Sequence, residues 1–441
     1  VRLRAGMAEN GAMSQSYDLI TRTGPGTAMG ELMRQYWIPA LMSRELAADG
    51  APVRLLLLGE KLLAFRDSSG RVGVLDHRCP HRCASLFYGR NEEGGIRCVY
   101  HGWKYDVDGR CLDQANLPPQ QQFGDKVRAQ AYLARERNGF VWVFMGERER
   151  APDLPPFEAC LAPKERIELR FVQRRCNWLQ AVEGDLDTSH VGLLHFGAVK
   201  ASAGLDAGRK DIVSNRAPEY RVSETAHGLT YGAYRLSATV EGGTYWRLAH
   251  FLFPFWIMPP VTSLEHNIMV RAFVPMDDEH CMFVGFESLS YMRENDRTRT
   301  AGVHIRDNLL PNATGWHGRF RMVECEDNDY QIDREEQRSR SFTGIDGVHT
   351  QDQTVTESMG SIVDRSLENL APSDIAVARN RRMLFKTVEA FQSGMRPPSA
   401  DNPSLYADVR GGYYTTAADG DWLALHKAEV AKLRRAAVAP A

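Results

Sequence analysis

Four residues in the first quarter of the chain have the types and spacing to hold metal. Cys79 and His81 stand in "CPH", and Cys98 and His101 in "CVYH", with sixteen residues between the two arms. Each arm offers one thiolate and one imidazole. Zinc sites usually keep their cysteines together, as C-x2-4-C followed by a histidine pair or by more cysteines. Mixed arms suit a 2Fe–2S cluster better. Two loops arriving from opposite sides, each with one cysteine and one histidine, place both cysteines on one iron and both histidines on the other. Neutral imidazole in place of thiolate removes negative charge and raises the reduction potential well above that of all-cysteine clusters. Gly94, Gly95 and Gly102 would let backbone approach the sulfides closely. A Cys2His2 zinc knuckle is the structural rival, and His77 reads as a surface or supporting residue.

Such a cluster only carries electrons, so a second centre is expected where they are used. The segment "NWLQAVEGDLDTSHVGLLH" contains Asp187, His190 and His195. Asp187 and His190, one helical turn apart, would share a face. His190 and His195 would lie ~140° apart on a regular helix, so they converge on one metal only if the helix is distorted or ends, and Gly192 allows that. Two histidines and a carboxylate form the facial triad of non-haem Fe(II) oxygenases, which leaves positions open for dioxygen. The plain alternative is a pair of core or surface histidines on an apolar helix.

Together the motifs resemble the catalytic α subunit of Rieske non-haem iron aromatic-ring oxygenases, including the "CPH" and "YHGW" details. The phthalate dioxygenase-like branch is the most similar. The likeness runs from "TRTGPGTAMGELMRQYWIPA" to the tyrosine-rich end. It implies an α+β chain, with a β-rich Rieske iron–sulfur domain followed by a larger helix-grip (START-like) catalytic domain on an antiparallel sheet. It implies a 2Fe-2S Rieske cluster on Cys79, His81, Cys98 and His101, and a mononuclear Fe(II) on His190 and His195. Asp187 would be the bridging acid, hydrogen-bonded to a Rieske histidine, His81 or His101, of the neighbouring subunit. The family's third iron ligand is an aspartate on a late helix in a D-x4-E setting. "TQDQTVTESMG" offers Asp352 with Glu357 behind it; Asp346 and Asp364 are rivals, because acids near a helix start also stabilise its dipole. Cys83 stands where the family commonly has glycine, and reads as a buried packing thiol or, less simply, an oxidation-prone one. The resemblance also implies a homotrimer or a multiple of trimers, and electrons from NADH through a separate flavin and iron–sulfur reductase. No G-x-G-x-x-G follows a strand to bind the nucleotide in this chain.

The segments "YGAYRLSATV" and "YWRLAHFLFPFWIMPP" are candidate pocket walls, aromatic and carrying Arg235 and Arg247. Arginine in such a lining suits a planar carboxylate through paired hydrogen bonds; solvent-facing strand arginines are the plain alternative. The expected function is hydroxylation of a phthalate- or benzoate-like aromatic carboxylate with O2. O-demethylation of a methoxylated aromatic acid is the alternative within the class. An electron-carrier Rieske protein without oxygenase activity is the rival from another class.

The elements that must position these residues are legible in outline. "VRLLLL", "KLLAFR" and "RVGVL" read as strands around a "DSSG" turn, and "GFVWVFMG" as another. The proline-rich "ERERAPDLPPFEA" marks a boundary, giving a leader over 1–20 that is poorly ordered, a cluster domain over 21–150, and a catalytic domain with a C-terminal tail over 151–441. The true start would be Met7 or Met13. "LTYGAYRLSATV", "LEHNIMVRAFVP" and "HCMFVGFESLSYM" alternate like antiparallel strands. Pro372 and Ser373 open a helix with Val377, Leu384, Val388 and Phe391 on its apolar period, ended by Gly394, Pro397 and Pro398. The last forty-odd residues read as a surface-wrapping tail. With 54 basic against 56 acidic side chains, nothing suggests a nucleic-acid or membrane partner. Eight cysteines, two of them in metal-type spacing, fit a reducing cytoplasm better than a disulfide framework.

Overall fold

The leucine- and valine-rich runs after Val53 fold as their alternation requires. The computed structural model describes residues 17–196, 211–212, 215–288, 307–417 and 420–438. Its first third holds ten strands: β1 (Trp37–Met42), β2 (Val53–Leu57), β3 (Glu60–Arg66), β4 (Val72–Asp76), β5 (Arg90–Glu92), β6 (Gly95–Arg97), β7 (Trp103–Tyr105), β8 (Cys111–Gln114), β9 (Ala131–Arg137) and β10 (Phe140–Phe144). A six-stranded sheet runs β1-β10-β9-β4-β3-β2, and a four-stranded one runs β5-β6-β7-β8. Strands β1 and β10 are buried at every residue, as a strand covered on both faces must be. Phe140 packs on Phe171 and Phe286, and Trp142 on Trp256, so one aromatic core runs into the second domain across the expected boundary.

The second domain is an eight-stranded antiparallel sheet. Its strands are β11 (Ile167–Arg174), β12 (Glu219–Thr225), β13 (Gly228–Leu236), β14 (Thr244–Leu252), β15 (Trp256–Met258), β16 (Met269–Pro275), β17 (Cys281–Ser288) and β18 (Gly412–Thr416). The order is β11-β17-β16-β15-β14-β13-β12, with β18 on β14. Helices α1 (Trp178–Leu186), α2 (Val348–Glu357) and α3 (Ile375–Gln392) pack together on one face. Helix α4 (Trp422–Val438) lies on the other, where Trp422 stacks on Trp246. No helix among the described residues is long and apolar enough to cross a membrane.

Two expectations need correction at the ends. The C-terminal stretch is not a tail wrapped on the surface, since β18 joins the sheet and α4 covers it. The stripe of α4 consists of Trp422, His426 and Val430, and its mix of polar and apolar types hides the helical period. At the other end, residues 17–21 are helical and Ile20 is fully buried, so this part of the expected leader is ordered; positions 1–16 lie outside the described residues.

The two metal-type arms fold into loops of one design. Cys79 N donates to Ala84 O and Cys83 N to Cys79 O; Cys98 N donates to Trp103 O and Gly102 N to Cys98 O. The fifth residue of each loop is left-handed, Gly102 at φ 76° and Cys83 at φ 58°. That is why glycine suits position 83. The side chain of Cys83 is exposed, which corrects the expectation of a buried packing thiol. Gly94 and Gly95 do not belong to these loops. Gly94 turns the β5–β6 hairpin at φ 80°, and a Cβ on Gly95 would lie 2.3 Å from the Tyr105 carbonyl oxygen.

Two substitutions test this architecture. Cys83→Gly should hold or raise the urea midpoint, with a gain of up to about 1 kcal/mol from relief of the left-handed backbone. Gly412→Ala should lower the thermal midpoint by about 2 kcal/mol or more, because its φ is 147° and a Cβ there would sit 2.6 Å from the Leu264 Cα.

Candidate metal centres and the neighbouring arginines

At the first centre, thiols face inward and imidazoles outward. Cys79 and Cys98 are buried with Leu63, Phe65, Leu86, Ile96 and Tyr105, and the Tyr105 hydroxyl lies 3.5 Å from the Cys79 sulfur. Burial pushes the Cys98 thiol up, and the adjacent Cys79 adds to it, while backbone N–H groups of Tyr100 and His101 work the other way. Those amides are donors of the kind that surround cluster sulfur. The His81 and His101 rings lie 4.5 Å apart, His81 stacked on Trp103 and His101 against Tyr100. His101 Nδ1 is buried without a hydrogen-bond partner, a cost that a metal bond would remove. Among the described residues two groups of three donors lie within 4.8 Å of one another, and neither includes these four side chains. A single tetrahedral zinc needs all four donors gathered more tightly than that. A two-iron cluster does not.

The second centre forms where a helix stops. Helix α1 ends at Leu186 and Asp187 is its C-cap, so the helical face expected to carry Asp187 and His190 does not exist there. They meet through a turn instead. Asp187 accepts from Ser189 N at 2.7 Å and His190 N at 3.1 Å, and its Oδ2 lies 3.2 Å from His190 Nδ1. A short 3-10 turn over His190–Gly192 then swings His195 back. His190, His195 and Asp352 come within 4.8 Å of one another. Asp352 Oδ1 lies 3.2 Å from His195 Nε2 and 3.6 Å from His190 Nε2. Burial raises the Asp352 carboxyl, but the His195 and His190 imidazoles outweigh it and bring its pKa down to about 2. Burial lowers His190, yet the Asp187 and Asp352 carboxylates hold it above its ordinary value; a metal ion would displace the proton they retain.

Gln351 is the residue that sequence reasoning missed. Its Oε1 lies 2.8 Å from His195 Nδ1, while its Nε2 donates to Thr343 Oγ1 and Ile345 O. The amide is thus fixed oxygen-first, His195 Nδ1 must carry the proton, and Nε2 is left free to face Asp352. Nothing in its spacing marks Gln351 except its place beside Asp352. The rivals of Asp352 are elsewhere: Asp346 and Asp364 are exposed, and Asp364 caps a 3-10 turn. Glu357 is structural, accepting from Arg175 N, Gln353 and the Tyr330 hydroxyl. His77 packs edge-on against Trp316.

The two arginines face inward, not to solvent. Both are buried, and the register of β13 on β14 puts Arg235, Arg247, Tyr231 and Tyr245 on one face. Arg247 Nε donates to Thr188 Oγ1 at 2.8 Å, one residue from Asp187. Arg235 donates to Asn215 O at 2.6 Å, and its Nε, like the Tyr231 hydroxyl, is buried without a hydrogen-bond partner among the described residues.

Comparisons with known proteins show the family of both halves of the chain. Residues 36–124 match the Rieske [2Fe-2S] domain, and residues 143–433 match the "LigXa C-terminal domain like" family. The oxygenase subunit of 3-chlorobenzoate-3,4-dioxygenase from Comamonas testosteroni is 45% identical, over 96% of this chain and 100% of that protein. The phthalate 4,5-dioxygenase oxygenase subunit from Pseudomonas putida is 34% identical, over 92% of each. The crystal structure of dicamba monooxygenase bound to dicamba shares the fold, at a TM-score of 0.54 and 17% identity over 82% of this chain and 99% of that one. The chain belongs to the Rieske non-haem iron oxygenases, as an oxygenase (α) component whose cofactors are a 2Fe-2S Rieske cluster and a mononuclear iron.

Proposed function

We propose that Cys79 and Cys98 hold one cluster iron and His81 and His101 the other, while His190, His195 and Asp352 hold the mononuclear iron. Residues 21–150 and 151–441 are then the cluster-bearing and catalytic units. The observation that carries this reading is the partly buried His190, His195 and Asp352 trio, with each histidine's Nδ1 already committed to Asp187 or Gln351. When bound, the cluster supplies single electrons and the iron supplies dioxygen activation.

The chain's own residues orient and recognise. Asp187 and Gln351 fix the tautomers that aim Nε2 of both histidines at one point. Asp187 remains 22% exposed, which leaves it room to accept from a Rieske histidine, His81 or His101, of a neighbouring copy in a homotrimer or its multiple. Arg235 and Arg247 supply positive charge and donors beside the iron trio, with Tyr231 and Tyr245 as aromatic walls. Two relatives are named for 3-chlorobenzoate and phthalate, both aromatic carboxylates. The substrate is accordingly an aromatic carboxylate held by these arginines. The electrons come from a separate NADH-dependent reductase, and the free thiols suit a reducing cytoplasm.

Two measurements on the purified, iron-loaded protein test these roles. Asp187→Asn should keep the iron content and visible spectrum of the parent yet slow turnover about 10- to 100-fold with a surrogate reductase; a normal rate removes the bridging role. Arg247→Gln should raise KM for an aromatic carboxylate about 30-fold, roughly 2 kcal/mol of charge-assisted hydrogen bonding. The matching carboxamide should be affected far less, and product analysis across aromatic acids separates ring hydroxylation from O-demethylation.

A further inference from the structure

A second trio with the donor set of the iron site lies at the seam of the two domains. Asp277 and His280 sit in the β16–β17 turn, and His317 in the segment after residue 307. Their donor atoms lie within 4.8 Å of one another. His280 Nδ1 is 3.0 Å from Asp277 Oδ1, and His317 Nε2 is 2.9 Å from Asp277 Oδ2. Backbone N–H groups of Glu279 and His280 also donate to Asp277 Oδ1, which fixes the carboxylate.

We propose that Asp277, His280 and His317 form a metal site for a zinc-class divalent ion, separate from both iron centres. Two imidazoles and one carboxylate are a zinc-type set, with remaining positions left for water. The two imidazole rings lie 4.2 Å apart at 33°. Donor separations near 3 Å also suit bonds of about 2.0–2.2 Å to a common ion. Asp277 and His317 open on a cavity of about 540 Å³, shared with Leu56, Lys61, Trp316 and Arg321, which has room for the waters that complete the coordination.

The site would act as a tie. The β16–β17 turn receives Leu58 N and Gly59 N from the first domain, at Pro275 O and Met276 O. Trp316, next to His317, packs against His77, and the Arg54 and Lys61 cations lie over its ring. Arg54 also donates to Thr314 O at 2.7 Å. An ion on these three ligands therefore pins the segment that straps the first domain to the turn of the second.

The test uses full-length, iron-loaded protein incubated with zinc chloride, gel-filtered and assayed for zinc and iron together. The parent should retain one zinc per chain without losing iron, and zinc should raise its thermal midpoint by several degrees. Asp277→Asn and the more exposed His317→Ala should both lose that zinc and the zinc-induced shift. Asp352→Asn, which empties only the proposed iron trio, should keep them. The inference is overturned if the parent holds no zinc, if zinc enters only as iron leaves, or if a correctly folded His317→Ala retains as much as the parent.

Discussion

The hydrogen bonds that Asp187 makes where α1 stops are the constraint on which the catalytic half depends. An α-helix carried on through this stretch would point His190 and His195 in different directions. By capping the helix in an extended conformation and turning its carboxylate onto Ser189 and His190, Asp187 ends the helix and orients one histidine in the same set of contacts. The helix itself is held by buried ion pairs. Glu183 accepts from Arg365 and Arg381, and Asp185 from Arg271, which also pairs with Glu287. Breaking such a pair leaves a buried charge uncompensated, at about 3–5 kcal/mol, so the point where α1 ends is fixed from several sides.

The opposing wall is built by different means. Helix α2 brings Asp352 and Gln351 in consecutive positions, one toward the histidine pair and the other toward His195 Nδ1. Gln351 can do this because Thr343 and Ile345 occupy its amide nitrogen. The neutral amide fixes the histidine without adding a second negative charge to a site that already holds Asp352. Asp187 brings its charge at the more open side of the trio, where it is partly exposed.

The first domain solves the converse problem, exposure of one end of a centre and burial of the other. Its two loops share one hydrogen-bond pattern, which presents each cysteine to the core and each histidine to the rim. The pattern requires a left-handed residue in each loop, met by glycine at 102 and against preference by Cys83. The outward imidazoles would let another group reach a cluster held there, and Trp103 and Tyr100 pack against those rings.

How much of this was legible in the sequence depended on the range of the interaction. The Cys-x-His and Cys-x-x-His arms, the strands from β2 to β4, β10, β13, β16 and β17, and helix α3 are set by local spacing, alternation and turn chemistry. Those were readable, and so was the pairing of His190 with His195. What escaped was decided by residues far apart in the chain. The C-terminal strand is a strand because β14 offers it an edge, and α4 is amphipathic only with respect to Trp246. Asp352, unlike the exposed Asp346 and Asp364, lies against the two histidines. Gln351 and Thr188 acquire roles only from what they face. Sequence by itself determined which donors exist and which loops can present them; tertiary structure decided which carboxylate and which amide meet them, because a side chain's partner across a core is fixed by packing and not by spacing.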